Sequence, residues 1–465
     1  MEQFHLLIIG GGPGGMAPLL AAHRSGQLTD LLKRGVGVIE KGERLGGGSI
    51  GGYAINSDSS GRTFTDCLLG DEPSEVTRLV THPLTQRIAA AGDGTVTLRD
   101  AGAFLALVGD ALSRMIEREP ASTVIARHTA LKATRVQNAW QVEVRDERTG
   151  QTRLLQARNL VLATGGHQPI ERLQAEQIGN FSLVEAAGDR LMQSGEVLTN
   201  GGLEKVAGLL AGRASPKVVV VGGSTSAAAV AHALLNRLPT VAFGEGGVTL
   251  LHRRELRIFY PDRETALSEG YTEWTEDDVC QISGRVFRLA GFRLDSRELI
   301  MQVRGLGGRP PETRLRLHRI TTDDAVTRRI IEDADVVVAA LGYRPRMLPI
   351  VGRDGAPLHL LPSTGPQMPL VDRECRVLNA DGQPVPRLFG IGLAAGFVPS
   401  GRLGGEITFR GQANGLWLWQ HDVGSLIVRA VLRQTRKLRP VTILRAPPPI
   451  ILKAPAEFTT SAESF

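Results

Sequence analysis

The feature that most constrains this chain is the run Gly10-Gly11-Gly12-Pro13-Gly14-Gly15, which follows the apolar residues 5–9 directly and precedes a helical run over 16–22. Gly10, Gly12 and Gly15 carry the G-x-G-x-x-G spacing. Gly10 permits the tight turn, Gly12 lets the backbone approach a pyrophosphate, and Gly15 lets helix and strand pack closely, with the helix N-terminus aimed at the phosphates. Pro13 and Gly14 complete the loop. Residues 35–39 read as a second strand ending in Glu40, whose carboxylate can accept hydrogen bonds from ribose hydroxyls; Lys41 and the glycines Gly46, Gly47 and Gly48 follow. The alternative, an ordinary glycine-rich turn with a solvated Glu40, is disfavoured by strand, helix and acid occurring together. The interval from Gly10 to Glu40 exceeds the roughly twenty residues usual for NAD, which makes FAD the expected ligand. Gly47-x-Ser49-x-Gly51 also matches a hydrolase nucleophile elbow, but it lies several residues past its strand with no helix following, so the match is read as coincidence.

A second unit of the same kind follows. Residues 217–221 form a buried-strand run leading into Gly222-Gly223-Ser224-Thr225-Ser226-Ala227 and an alanine-rich helix over 228–235. Ser224 replaces the middle glycine and Ala227 the last, both small enough for a pyrophosphate to approach. The next strand, 248–251, runs into His252-Arg253-Arg254. Guanidinium groups at that strand end are placed to pair with a 2′-phosphate, which favours NADPH and leaves NADH as the alternative. The competing reading is two solvated arginines. Two dinucleotide sites in one chain imply electron flow from a nicotinamide to a flavin, with the demanding chemistry belonging to the cofactors.

The expected fold class is α/β: two nested Rossmann-like dinucleotide-binding domains with parallel sheets and a small β-meander. Strand-like runs over 159–163 and 335–341 return the chain from one domain to the next. Residues 129–144 read as the meander, turning at Asn138 and Ala139 after a helix over 103–117, and 59–94 as a loop-rich insertion or lid. The expected division is 1–212 for the first part of the FAD-binding domain, 213–345 for the NAD(P)H-binding domain and 346–425 for the second part of the FAD-binding domain. Residues 426–465 are read as a basic, proline-containing C-terminal tail, a surface helix followed by a Pro-rich stretch, since seven Lys or Arg and no acid fall between 423 and 456. A nucleic-acid or membrane-binding arm is the less favoured reading of that stretch.

Bulk properties set the remaining limits. At 465 residues, two domains are expected, and 55 glycines exceed ordinary usage. Cys67, Cys280 and Cys375 lie too far apart for a disulfide framework or metal knuckle, and the ten histidines show no ligand spacing, so no metal is expected. No targeting segment or membrane span is visible, and a cytoplasmic protein that binds no nucleic acid is expected. Homo-oligomerisation is left open.

With both glycine motifs placed, the chain resembles the two-dinucleotide-domain flavoproteins, which include thioredoxin reductases, flavin-containing monooxygenases and N-hydroxylating monooxygenases. Val161-Leu162-Ala163-Thr164-Gly165-Gly166 is similar to the strand that leaves the family's FAD domain, and Ala339-Ala340-Leu341-Gly342-Tyr343-Arg344-Pro345 to the strand that returns to it. Leu388-Phe389-Gly390-Ile391-Gly392-Leu393 resembles the late flavin motif, with Gly392-Leu393 where the family usually has Gly-Asp. The resemblance adds Leu131, Gly165, Gly392 and Leu393 to the cofactor-binding candidates and implies a helix starting near Gly404, aimed at the flavin. The cysteine spacing lacks the Cys-x-x-Cys of disulfide reductases. Residues 169–216 lack the aromatic-Gly-His fingerprint of Baeyer-Villiger and flavin-containing monooxygenases. What remains is similar to the N-hydroxylating group, in Leu-Gly-Tyr-Arg-Pro and in Arg253-Arg254 followed by Ala266, Glu269, Gly270 and Tyr271.

The resemblance implies a monooxygenase in which NADPH reduces FAD, molecular oxygen gives a flavin C4a-hydroperoxide, and an amine or other small organic nucleophile takes the distal oxygen. An NAD(P)H-dependent reductase or dehydrogenase acting on a quinone, a protein or an organic substrate, and a flavin-binding redox sensor, are the alternatives. The loop holding Tyr53, Asn56, Ser57 and Asp58 could reach the flavin or be a turn held by its own side chains. Ser57, Asp58 and Arg402 are the catalytic candidates, with a surface salt bridge the competing reading of Arg402. His167 is undecided.

Overall fold

Six consecutive buried residues in the strand Gln3–Ile9 leave it no polar face, so it must be covered on both sides, as in a parallel sheet. The computed structural model describes residues 2–70, 73–321, 325–364, 368–393, 395–409 and 423–433. In it, Gln3–Ile9 pairs in parallel with Val36–Glu40 on one side and with Thr152–Leu162 on the other. Thr123–Ala126 extends the sheet beyond Val36–Glu40. Thr152–Leu162 serves two neighbours along its far edge. Its first half pairs antiparallel with Ala139–Asp146, which pairs antiparallel with His128–Val136; its last residues pair in parallel with Pro384–Gly390. The meander thus lies where the sequence places it, but it turns one residue earlier than expected, at Gln137 and Asn138, with φ 42° at Gln137 and Ala139 already in the next strand.

The second sheet is parallel throughout, in the order Leu191–Gln193, Val336–Ala339, Val218–Val221, Val248–His252, Leu315–Arg319. It draws its first strand from ahead of the expected boundary at 213, and Leu203, Val206 and Leu210 of the helix Gly202–Leu210 belong to its core. The fold is therefore mixed α/β with two Rossmann-like units. The linking motifs meet: Gly166–His167 pairs antiparallel with Arg344–Pro345, so the outgoing and returning chains cross between the units side by side. Residues 59–94 are more regular than expected. The strand Asn56–Ser60 pairs with Thr95–Thr97, and the helices Gly61–Thr65 and Pro83–Ala90 fill the space between them.

The tail reading needs correction at its start. The helix Gly424–Leu432 packs on the helix Pro13–Arg24, with Ile427, Val428 and Val431 buried. A β-carbon on Gly424 would stand 2.4 Å from the Ala17 carbonyl oxygen, so the small residue sets the close approach. His5 Nε2 lies 3.2 Å from the Val431 carbonyl, and Arg34 donates to that of Leu432 at 2.8 Å. These bonds take up carbonyls that the helix end leaves unpaired. An apolar stripe inside a basic segment makes 424–432 part of the first core, while the stretch beyond 433 lies outside the described residues. No helix among the described residues is long and apolar enough to cross a membrane. Ile427→Ala is expected to cost about 2–5 kcal/mol, seen as a lower denaturation midpoint. An unchanged midpoint would show that this helix does not help close the first core.

Candidate active site

Both glycine loops arise where a parallel strand ends and a helix begins. A β-carbon on Gly15 would stand 1.8 Å from the Gly10 carbonyl oxygen, and one on Gly10, where φ is +101°, 2.3 Å from that of Ala163. Gly15 is thus a packing residue behind the loop. Gly12 differs: a β-carbon there would meet nothing nearer than the Gly48 Cα at 3.8 Å, so its backbone borders open space. Gly14 faces Gly392, whose Cα would lie 3.0 Å from an added β-carbon. The first glycine loop, the 46–48 loop and the late loop therefore converge on one cradle. The helix Pro13–Arg24 begins with no side-chain cap, which leaves its first amide groups for a ligand. This arrangement fits an extended pyrophosphate.

Glu40 does more than the sequence reading assigned to it. Its carboxylate accepts the Gly11 amide at 2.7 Å and the Gly42 amide at 2.7 Å, so it fixes the loop's shape while facing the cleft. Lys41, Gly47, Gly165 and Leu393 face the same cleft, as do Pro13 and Gly392. Leu131 does not. It sits at an irregularity in the pairing between Ala130 and Lys132, and Thr129 and Ala130 border the cleft in its place.

The cleft continues to the second loop as one cavity of about 2670 Å³, well beyond the roughly 300–1,000 Å³ of a single-ligand pocket. Gly222 turns behind it: φ is +142°, and a β-carbon would stand 2.5 Å from the Ala340 carbonyl oxygen. Ser224, Thr225 and Ser226 border it, at the start of the helix Thr225–Arg237, which also lacks a side-chain cap. Arg253 and Arg254 both reach the cavity, but their situations differ. Arg253 pairs with the buried Glu176 at 2.8 Å and donates to the Gln177 carbonyl; no ion pair is formed by Arg254 among the described residues.

Between the loops lies a polar junction. Ser57 is buried and its Oγ accepts the Ser59 amide at 2.9 Å, while Asp58 looks into the cleft. Water reaches Asp58 through the open cleft, yet protein surrounds it closely. That burial pushes its carboxyl up to about 7, against the pull of Arg293 and with the help of Asp295. Asn56 donates to Asp295 at 2.8 Å, and the Tyr53 and Tyr343 hydroxyls meet at 2.9 Å, so both units contribute to this junction.

Arg402 lies outside it. Its guanidinium donates to the Ser425 hydroxyl at 3.0 Å and does not border the cavity. His167 bonds the Arg344 carbonyl at 3.2 Å within the crossover pairing. The expected helix near Gly404 is absent from residues 404–409, because Gly404 and Gly405 take positive φ values of 68° and 117°; residues 410–422 lie outside the described set. Glu269 borders the cavity, where it pairs with Arg297 and Arg309, while Tyr271 is buried and stacks on Tyr260.

Sequence reasoning missed the arginines of the segment following Arg254. Arg257, Arg285, Arg288 and Arg293 border the cavity beside Asp295. The signal available was their placement near phenylalanine, at Phe259, Phe287 and Phe292; Arg257 and Arg293 lie over the rings of Phe287 and Phe259 at 5.0 and 4.9 Å. The buried, unpaired Cys67, Cys280 and Cys375 do not border the cavity.

Two glycine loops opening on one cavity define a flavoprotein oxidoreductase with two dinucleotide sites. The chain belongs to the pyridine nucleotide-disulphide oxidoreductase family, matching its sequence model over residues 4–376. It is accordingly an FAD- and pyridine nucleotide-dependent oxidoreductase, although no cysteine pair is available at its cleft. It is 36% identical over 453 residues to the CMP-5′-(3-aminopropyl)phosphonate hydroxylase of Streptomyces rubellomurinus, across 94% of this chain and 99% of that protein. The fold is also that of the cadaverine monooxygenase of Erwinia amylovora, solved with FAD, at a TM-score of 0.53 and 12% identity over 98% of this chain and 99% of that one. The ornithine hydroxylase of Pseudomonas aeruginosa matches at a TM-score of 0.52 and 15% identity over 92% and 98% of the two chains.

Gly10→Ala is expected to yield protein without bound flavin, read from the visible absorbance of the purified chain. Gly208→Ala, with nothing within 4 Å of the new methyl in the helix Gly202–Leu210, should keep its flavin and gain about 0.5–1 kcal/mol of stability. Equal flavin content in the two variants would contradict the cradle described above.

Proposed function

We propose that this chain is an NADPH-using FAD monooxygenase that hydroxylates the amine of a small phosphonate, free or joined to a nucleotide. The observation that carries the reading is the single cavity joining both dinucleotide loops, with an ionisable carboxylate at the junction and no thiol bordering it. The 36% identity to a hydroxylase of an aminopropylphosphonate nucleotide, held across almost the whole of both chains, supports the substrate class.

Gly10, Gly12, Gly14, Glu40 and Gly392 would hold FAD, and Ser224, Thr225 and Ser226 the pyrophosphate of the coenzyme. Bound flavin supplies hydride acceptance from NADPH and activation of dioxygen at its C4a position, so that one oxygen atom goes to the amine and the other leaves as water. The chain's own task is to position the amine, keep bulk water out and manage its proton. An amine arrives largely as an ammonium and must lose a proton before its lone pair can take oxygen. Asp58, with its carboxyl raised to about 7, is suited to accept that proton, because a base titrating near the working pH combines availability with driving force. Arg293 and Asp295 set its charge balance from the facing segment.

Above pH 7 Asp58 is ionised and can accept a proton; below it the carboxyl is already occupied. The kcat/KM for the amine should therefore fall as pH drops through about 7, and Asp58→Asn should lose that limb and about a hundredfold or more in kcat. An unchanged pH profile in the variant would remove Asp58 from this role. For the coenzyme, Arg254→Ala should raise the KM for NADPH far more than that for NADH. Equal increases would remove the 2′-phosphate contact. The reading as a whole is tested by counting hydroxylamine formed per NADPH consumed with 3-aminopropylphosphonate and its cytidylyl ester. Near-equal amounts are expected; NADPH consumption that yields only hydrogen peroxide, or that needs a quinone acceptor, would favour an oxidase or reductase instead.

A further inference from the structure

Arginines in the coenzyme-binding unit differ in what holds them. Arg253, Arg263, Arg297, Arg304 and Arg319 are each ion-paired, with Glu176, Glu276, Glu269, Glu273 and Glu255 respectively. Arg257 and Arg285 border the cavity and form no ion pair among the described residues. The neighbouring Arg288 and Arg293 are partly committed. Arg288 donates to the Leu403 carbonyl at 2.7 Å, and Arg293 donates to the Arg288 carbonyl while lying over Phe259. Arg257 rests on the face of the Phe287 ring, which supports a guanidinium without using its N–H groups.

We propose that Arg257 and Arg285 form a phosphoryl-binding wall for the substrate's phosphonate or nucleotide phosphate, separate from the coenzyme's own phosphate contacts and opposite in charge to the Asp58–Asp295 side of the same cleft. The inference rests on the function proposed above and names the residues that would select an anionic amine. Three observations carry it. Guanidinium forks match the oxygen geometry of phosphate and phosphonate, and two of them face the cleft with donors uncommitted to any carboxylate. The charge on Arg293 is disfavoured first by burial and then by Arg285 and Arg288, against the pull of Asp58 and Glu406, and an anion entering beside these arginines adds to that pull. Finally, Ser224–Ser226 and Arg254, to which the function proposed above gives the coenzyme's phosphates, border the cavity separately, so this wall is not needed for them. Asp58 favours the charged form of Arg293 and Arg285 opposes it, so the carboxylates and the arginines act on one another across one surface of mixed charge. An ammonium at one end and a phosphoryl group at the other is the chemistry that such a surface reads.

The test is binding of 3-aminopropylphosphonate, its cytidylyl ester, a diamine of similar length and NADP+ to the FAD-loaded protein by titration calorimetry, for wild type, Arg285→Gln, Arg257→Gln and Arg285→Lys. The two glutamine variants should weaken both phosphonate probes by about ten- to a hundredfold and leave NADP+ unchanged, with Arg285→Lys recovering part of the loss. Because Arg285 is exposed to the cleft, its variants are not expected to disturb folding, and retained flavin verifies this. Loss of NADP+ affinity in their place would assign the arginines to the coenzyme and overturn the proposal. So would phosphonate binding that is unchanged by the substitutions, or a wild type that binds the diamine as well as the phosphonates. If the phosphonates bind through these arginines but no hydroxylamine forms with NADPH and oxygen, the wall stands and the monooxygenase reading fails.

Discussion

Everything in this molecule depends on a backbone contact that admits no side chain. The carbonyl oxygen of Gly10 sits 1.8 Å from where a β-carbon on Gly15 would be, and Gly10 itself is crowded by the Ala163 carbonyl. That contact joins the end of the first strand, the start of the first helix and the end of Thr152–Leu162. It aims the helix N-terminus and its unpaired amides at the cleft, where a pyrophosphate satisfies both the hydrogen bonds and the dipole. Glu40 then fixes the loop through the Gly11 amide, and Gly14 meets Gly392 from the late segment, so residues hundreds of positions apart build one cradle. The second unit repeats the device at Gly222 and Ala340. With the crossover strands paired side by side, the two loops open on a single cavity.

Charges of both signs line that cavity. Asp58 and Asp295 act on Arg293 or its neighbours there, and Arg257, Arg285 and Arg288 border it too. Placing like charges together in a partly dry site is unfavourable unless a ligand of opposite charge completes it. A ligand with a cationic amine and an anionic phosphoryl group satisfies both sides. This is a more specific statement than a flavin fold alone licenses, since such folds host many reactions and substrate choice lies in the side chains grafted onto them.

The parts of the fold legible from the amino-acid sequence were those governed by local rules. Short apolar runs closed by glycine, such as 6–9 and 218–221, read as buried strands, and glycines directly after them have few other uses. Other features depend on tertiary placement and were read less well. Leu131 was assigned to the cleft, but an irregularity in the strand pairing brings Ala130 there instead, and such a shift leaves no mark on composition. Residues 424–432 looked like the start of a basic tail because arginines dominate the count; their apolar stripe has a partner only once the first helix is in place. Arg402 lies near a flavin motif in sequence yet turns to Ser425. The arginines at 257, 285 and 293 come from a segment without clear periodicity, and their convergence is a property of the fold rather than of spacing.

The central claim is that oxygen from dioxygen is inserted into an amine at the junction of the two units. It is tested most directly by running the reaction with 3-aminopropylphosphonate or its cytidylyl ester under heavy-isotope dioxygen in ordinary water and weighing the product. The account predicts one labelled oxygen on the product nitrogen. A product carrying only solvent oxygen, or NADPH oxidation that leaves the amine unchanged while all the label appears in hydrogen peroxide, would contradict it.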